Sequence, residues 1–358
     1  MKKVLVALMV LVLAVGSVFA QGGTEAATGT IKMAGIIRNQ NEQFVKNYTE
    51  NLKKVAAANG VDLVIMDGEG QVDKQLDQLS TLISQGYKYF VIIIQDGSAS
   101  EQMAQMIKEV GGAAAFSNIQ PSVEALKVST KMYYASSPEA VAGQYQARIL
   151  DEYFTKYPEK APGKVLNMLY LEGQLGHPAQ INREAGLIDE LQKFGYTVNF
   201  VAKDTANWTP DQAQQKMDAW LAAFGGKFNC VVAQNDDMAL GAIESLKAAK
   251  YTKADASDGT KLTVPVIGVD ATPTGLASMK ADEMYATVLQ DAIGQSETAF
   301  YAVLEAAKTG TAVGKTINGL TAPAAPIDEA PANDAAVIAQ CFLVPFKPVT
   351  KANMAEFL

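Results

Sequence analysis

Between Ile31 and Val269 the chain repeats one phrase: a short apolar run, a polar loop, then an amphipathic segment of helical period. Parallel strands need a crossover of a dozen or more residues, and an amphipathic helix supplies it. The alternation therefore confines the chain to doubly wound parallel α/β sheets. The first set comprises strand Ile31–Ile37, a helix from Phe44 to Ala58 closed by Asn59-Gly60, strand Asp62–Met66, helix Val72–Ser84, strand Tyr89–Ile94, helix Ala99–Val110, and strands Ala113–Phe116 and Met132–Ala135. After Ser136-Ser137-Pro138 the phrase restarts, with helix Glu139–Phe154, strand Val165–Leu171, helix Asn182–Phe194, strand Val198–Ala202, a helix to Phe224, strand Asn229–Ala233, a helix to Ala249 and strand Val264–Val269. Two similar lobes are implied. Strand Tyr285–Leu289, helix Asp291–Lys308 and strand Val337–Val344 are left over, so the chain is expected to cross between lobes more than once.

The start of the chain has a different logic. Met1-Lys2-Lys3, the apolar run Val4–Val15 and the small residues up to Ala20 have the order of a cleavable secretory signal, too short to span a bilayer. Residues 1–20 are expected to be removed, 21–30 to form a flexible leader, and the mature chain to reach the periplasm. Loss of Lys2 and Lys3 takes the formal charge from -8 to -10. Such acidity argues against nucleic acid and anionic lipid as partners. About 330 mature residues suit two domains. The two cysteines, Cys230 and Cys341, each lie in an apolar run and are expected to be buried free thiols acting as small core hydrophobes.

Polar side chains gather where strands end, which is where open α/β sheets bind ligands. The single histidine, His177, follows strand Val165–Leu171 in a Gly- and Pro-containing loop that leads to Arg183. A lone histidine ordinarily caps a turn or satisfies a nearby carbonyl. Its company points further: Glu42, Asn118, Asn235, Asp236 and Asp270 end other strands, and Trp208 stands in a polar loop where core packing does not explain it. Directional groups of this kind suit sugar hydroxyls, and aromatic plates such as Phe44 and Trp208 suit the C–H faces of a sugar ring. The bland readings are a helix staple for Phe44 and helix N-caps for Asn235, Asp236 and Asp270. Trp220 fits a helical apolar pattern and reads as core.

At Gly176-His177-Pro178, Asp204–Trp208 and Asn235–Ala242 the sequence resembles the bacterial periplasmic galactose/glucose-binding proteins, type I sugar-binding proteins of ABC transporters. Further matches are Lys216–Leu221, Ile267–Ala271, Thr287–Leu289 and Asn353–Phe357. The resemblance implies two doubly wound parallel-sheet lobes joined by a three-segment hinge, with residues 31–136 plus 291–342 in one lobe and 137–290 plus 343–358 in the other. It implies crossings near Ser136-Ser137, Gln290-Asp291 and Leu343–Phe346. It puts sugar contacts on Phe44, Asn118, His177, Arg183, Trp208, Asn235 and Asp270, with Phe44 and Trp208 sandwiching the ring. It also implies a membrane ABC permease as partner, a chemoreceptor as a second reader of the closed form, and a monomeric chain.

The departures bear on which sugar is bound. An aspartate two residues after the loop histidine is Ala179 here, leaving Gln180 or water to replace it; the first-loop aspartate is Glu42, whose extra methylene adds over ~1 Å of reach. The asparagine after Val288-Leu289 is Gln290, the last of the candidate contacts. The calcium loop of that family corresponds to Tyr157–Lys164, which has one carboxylate and two prolines, and its distant glutamate ligand aligns with Asn229. No calcium and no other cofactor is expected. A glycosidase using Glu42 and Asp270 is the rival reading, weakened because neither acid sits in an evidently apolar setting that raises its pKa. A sugar-responsive repressor would need DNA-binding helices where the leader stands.

Overall fold

The computed structural model describes residues 30–358, so the leader expected at the start of the chain lies outside the described residues. In chain order the elements are β1 (Lys32–Ile37), α1 (Gln43–Ala58), β2 (Asp62–Asp67), α2 (Val72–Ser84), β3 (Tyr89–Ile92), α3 (Ser100–Glu109), β4 (Ala113–Ser117), α4 (Val123–Lys127) and β5 (Met132–Ser136). Then come α5 (Glu139–Lys156), β6 (Val165–Glu172), α6 (Pro178–Lys193), β7 (Thr197–Thr205), α7 (Pro210–Phe224), β8 (Cys230–Ala233), α8 (Asp236–Ala248), β9 (Val266–Ile267), α9 (Pro273–Lys280) and β10 (Thr287–Leu289). The chain ends with α10 (Ala292–Thr309), β11 (Cys341–Leu343) and β12 (Lys347–Val349).

The strands form two parallel sheets. One has the order β11-β5-β4-β3-β1-β2, the other β7-β6-β8-β9, and β10 pairs antiparallel with β12. Each sheet is wound the same way about its first strand, β1 or β6, with the second strand on one side and the third on the other. The strand order reverses beside β1 and beside β6, and those switch points open a crevice at the carboxyl ends of the strands.

Both faces of each sheet are covered, as near-continuous apolar strands require. Alternation along β1 sends Met33 to one face with Val45, Tyr48 and Leu52 of α1 and Phe300 and Val303 of α10. It sends Ala34 and Ile36 to the other, with Leu79, Met103 and Ile107. In the second sheet Leu169 and Leu171 pack with Met217, Trp220 and Ile243, while Met168 and Tyr170 pack with Leu150, Tyr153 and Leu187. Trp220 is core. Edge strand β7 has only exposed and half-buried residues.

The chain passes from one sheet to the other between β5 and α5, between β10 and α10, and between β11 and β12. Several strands are shorter than their apolar runs, most of all Val264–Val269, which narrows to β9, and Val337–Val344, which narrows to β11 after a 3-10 turn at Ile338–Gln340. The cysteines are free and buried, Cys230 in one sheet and Cys341 in the other. Burial pushes the Cys341 thiol up to about 12 and that of Cys230 higher still. No helix among the described residues is long and apolar enough to cross a membrane.

Candidate functional site

One cavity, with about 390 Å³ of empty space, collects the polar strand ends of both sheets. Glu42, Phe44 and Asn118 line it from one side, and His177, Arg183, Trp208, Asn235, Asp270 and Gln290 from the other. The structure thus brings together the residues put forward as contacts, with the exception of Asp236. Arg38, Gln43 and Asp237 also line it and were not picked out in the sequence, and Ala179, noted there as a departure, lines it too.

His177 does two jobs. It is the N-cap of α6, its Nδ1 accepting from the backbone N–H of Ala179 at 3.1 Å, so the capping role expected of a lone histidine is real. With Nδ1 an acceptor, the ring proton sits on Nε2, which is buried and has no partner. Burial, and secondarily the Arg38 and Arg183 charges, hold its pKa well below the ordinary value, so the ring is neutral. The residue offers the cavity a single N–H donor. Helix α6 begins at Pro178, one turn before the sequence-predicted start, and this is what makes His177 the cap.

Arg183 is set from behind. Its Nε donates to Glu139 Oε2 at 2.8 Å, Nη2 to Gln290 Oε1 at 3.0 Å, and Nη1 to the carbonyl of Gln234. Gln290 Nε2 completes a ring by donating to Glu139 Oε1 at 3.0 Å. Three of the five guanidinium N–H groups are spent, leaving two for the cavity. The ring exists because α5 and α6 touch backbone to backbone: a Cβ on Gly143 would lie 2.0 Å from the Arg183 carbonyl oxygen. Gln290 therefore borders the cavity with both ends of its amide engaged. Glu139 is an ordinary-looking first-turn acid in the sequence, and nothing there marks it as the counter-ion of Arg183.

Trp208 has a left-handed backbone (φ 65°) and is 6% exposed. Gly173 makes room for it, since a Cβ there would lie 2.0 Å from the indole. The His177 ring meets it edge to face at 5.2 Å, and the Arg183 guanidinium lies 5.7 Å from its centre. Its Nε1 is a second buried N–H without a partner. Phe44 lines the same cavity from the opposite sheet at the first turn of α1.

The acids and amides divide their roles. Asn235 is the N-cap of α8, accepting from Met238 N at 2.9 Å, and its Nδ2 donates to the Trp208 carbonyl at 3.2 Å. Asp236 lies behind the cavity wall, bonded to Thr272 and Thr287, so the sequence reading that grouped it with the ligand-facing residues is corrected. Asp270 has φ 118° and is not the cap of α9, a role taken by Thr272. Its strained backbone turns a buried carboxylate toward the cavity. Burial raises the pKa of Asp270 well above the usual range, and raises that of Glu42 against the opposing Arg38 charge. The expectation that neither acid has such a setting is therefore corrected. Glu42 is ion-paired with Arg38. Asp237 faces the start of α1, and burial raises its pKa against the opposing backbone N–H of Gln43 and the Lys46 charge.

Gln180 does not make up for Ala179. Its Oε1 accepts from Gly176 N at 3.2 Å and its Nε2 donates to Glu172 at 2.7 Å, outside the cavity lining. The loop at Tyr157–Lys164 does not fit a calcium ion. Asn229 Nδ2 donates at 3.0 Å to the carbonyls of both Lys160 and Val165, so an amide takes the oxygens a cation would need. The Lys160 ammonium is itself paired with Asp258. Among the described residues no group of three or more His, Cys, Asp or Glu side chains could hold a metal ion.

A cavity floored by the switch points of two like-wound sheets has known counterparts. The chain is 30% identical to a putative rhizopine-binding protein of Rhizobium meliloti over 362 residues, covering 100% of this chain and 99% of that one. It is 28% identical to the D-galactose/methyl-galactoside binding periplasmic protein of Haemophilus influenzae, covering 78% of this chain and 82% of that one. The crystal structure of a Caulobacter myo-inositol binding protein superposes with a TM-score of 0.73 at 24% identity, covering 93% of this chain and 98% of that one. A family model described as a periplasmic binding protein domain matches residues 34–312. The chain belongs to the periplasmic binding protein family.

Proposed function

We propose that this chain is an exported solute-binding protein that closes two lobes on a neutral polyhydroxylated ring in the periplasm and delivers it to a membrane ABC permease. The observation that carries the reading is the buried, unpartnered Nε2–H of His177, in a cavity that also presents the Trp208 Nε1–H, Arg183 N–H donors and the Asp270 carboxylate. Sugar hydroxyls both donate and accept, so they satisfy such a mixed set, and Trp208 and Phe44 cover the ring faces. The lobes would be residues 31–136 with 291–342, and residues 137–290 with 343–358.

Binding works through closure. Donors from one lobe and the Phe44 face from the other meet the ligand together only in the closed form, so ligand shifts the equilibrium toward it. A monomer suffices for this, and a chemoreceptor is a second reader of the same form.

Glucose or galactose is the favoured ligand, in keeping with the name of the Haemophilus relative; a pentose is the alternative. A thermal-shift screen of monosaccharides and myo-inositol tests the reading, and failure of every ring to raise the melting temperature sinks it. The raised carboxyls keep an enzyme in contention as a result to watch for. Turnover of nitrophenyl hexosides would replace binding by hydrolysis.

A further inference from the structure

A second cavity, with about 1000 Å³ of empty space, opens beside the first and shares His177 with it. Loops after β3 and β4 line it from one side and the His177 loop from the other. Its wall is amphipathic: Gln95, Ser98 and Gln120 are polar, while Leu175 and Pro178 are apolar. Leu175 is 61% exposed. The amide oxygens of Gln95 and Gln120 are buried without partners and lack a donor. The Asp96 carboxylate lines this cavity and no lysine or arginine among the described residues does, which disfavours an anionic occupant.

His177 sets the chemistry at the border. It is a donor only, and an ether oxygen accepts its Nε2–H as well as a hydroxyl does. The Asp270 carboxyl in its ionised form is an acceptor only and calls for a free O–H. An O-substituent is thus compatible with the position held by His177, the one that opens onto the second cavity.

We propose that the ligand is O-substituted at the position bonded by His177, and that the second cavity receives a neutral polar substituent such as a second sugar ring. Leu175 and Pro178 would cover its C–H face, and the amides of Gln95 and Gln120 would meet its hydroxyls. This rests on the reading of the first cavity as a sugar or polyol site.

Titration calorimetry of the mature protein tests it with matched pairs: D-galactose against lactose and melibiose, D-glucose against cellobiose and maltose, and myo-inositol against galactinol. The expected result is that at least one substituted ligand binds as tightly as its parent or tighter. Leu175→Ala and Gln120→Ala should then weaken that ligand about fivefold more than the parent, since neither residue lines the first cavity. A parent that binds while all its substituted forms bind a hundredfold worse overturns the extension alone, as does equal loss on parent and substituted ligand in both variants. Failure of every parent and every substituted form defeats the sugar-site reading itself.

Discussion

Glu139→Gln removes one charge and no heavy atoms, yet the hydrogen-bond ring of Glu139, Gln290 and Arg183 cannot absorb it. Arg183 presents donors at both ends of that ring, to Glu139 and to Gln290. Glu139 accepts twice, while Gln290 accepts once and donates once. A glutamine at position 139 must donate somewhere; flipping either amide only moves the donor–donor conflict to another edge. One buried donor is left unmatched in every arrangement, at a cost of about 1–3 kcal/mol. Losing the counter-ion of Arg183, with both side chains 3% exposed, pushes toward the ~3–5 kcal/mol of a broken buried pair. If Arg183 stays in place, folding stability falls; if it swings away, ligand affinity falls, by roughly 5- to 150-fold for ~1–3 kcal/mol. Chemical denaturation and calorimetric titration measure the two shares. Adding Gln290→Glu restores the match, because the amide now at position 139 donates to the carboxylate now at position 290 and both ends of Arg183 meet acceptors. The double variant should recover most of the lost stability. Unchanged stability and affinity in Glu139→Gln, or no recovery in the double variant, would refute the reasoning.

Groups around this ring can be tested in the same way. Trp208→Ala should cost at least about 1.5 kcal/mol of ligand binding and abolish the ligand-dependent tryptophan fluorescence change, and unchanged affinity removes Trp208 from the site. Glu329, which accepts from the backbone N–H groups of Glu139 and Ala140 at 2.8 and 3.1 Å, has its pKa raised to about 7 by burial and by the Glu139 charge. A raised folded-state pKa means the folded protein holds its proton longer than the unfolded chain, so this contribution is full below about 4.5 and is lost as pH rises through about 7. Glu329→Gln should flatten that part of the stability profile, and a profile of undiminished slope would assign it elsewhere. Chelator should leave the melting temperature unaltered, because Asn229 already ties the Tyr157–Lys164 loop; a drop of several degrees would contradict this.

What could be read from the residues was whatever depends on short-range pattern. Apolar runs located the strands, and the position of polar residues just past them located the cavity wall, because strand ends in a doubly wound sheet converge regardless of which helices intervene. Long-range partners left no such trace. Arg38 looks like a solvated strand end until the fold sets it against Glu42, and Asp237 was masked by Asn235 and Asp236, its neighbours at the start of α8. Strand β12, which pairs with β10, and the reach of Glu329 to the start of α5 come from segments whose composition reads as loop. The Ser136–Glu139 crossing shows the same divide: Ser136-Ser137-Pro138 is visible as a break, but the role of Glu139 appears only once α5 lies against α6.

The central claim is that the buried N–H of His177 and the carboxylate of Asp270 wait for the hydroxyls of one ring. Nitrogen-15 NMR of the single histidine, with the ring that the thermal screen selects, tests it most directly. The ring is expected to stay neutral and protonated at Nε2 throughout, with an Nε2–H resonance that shifts on saturation with one ligand per chain. An imidazole that becomes charged, or an Nε2–H unmoved at saturation, would contradict it.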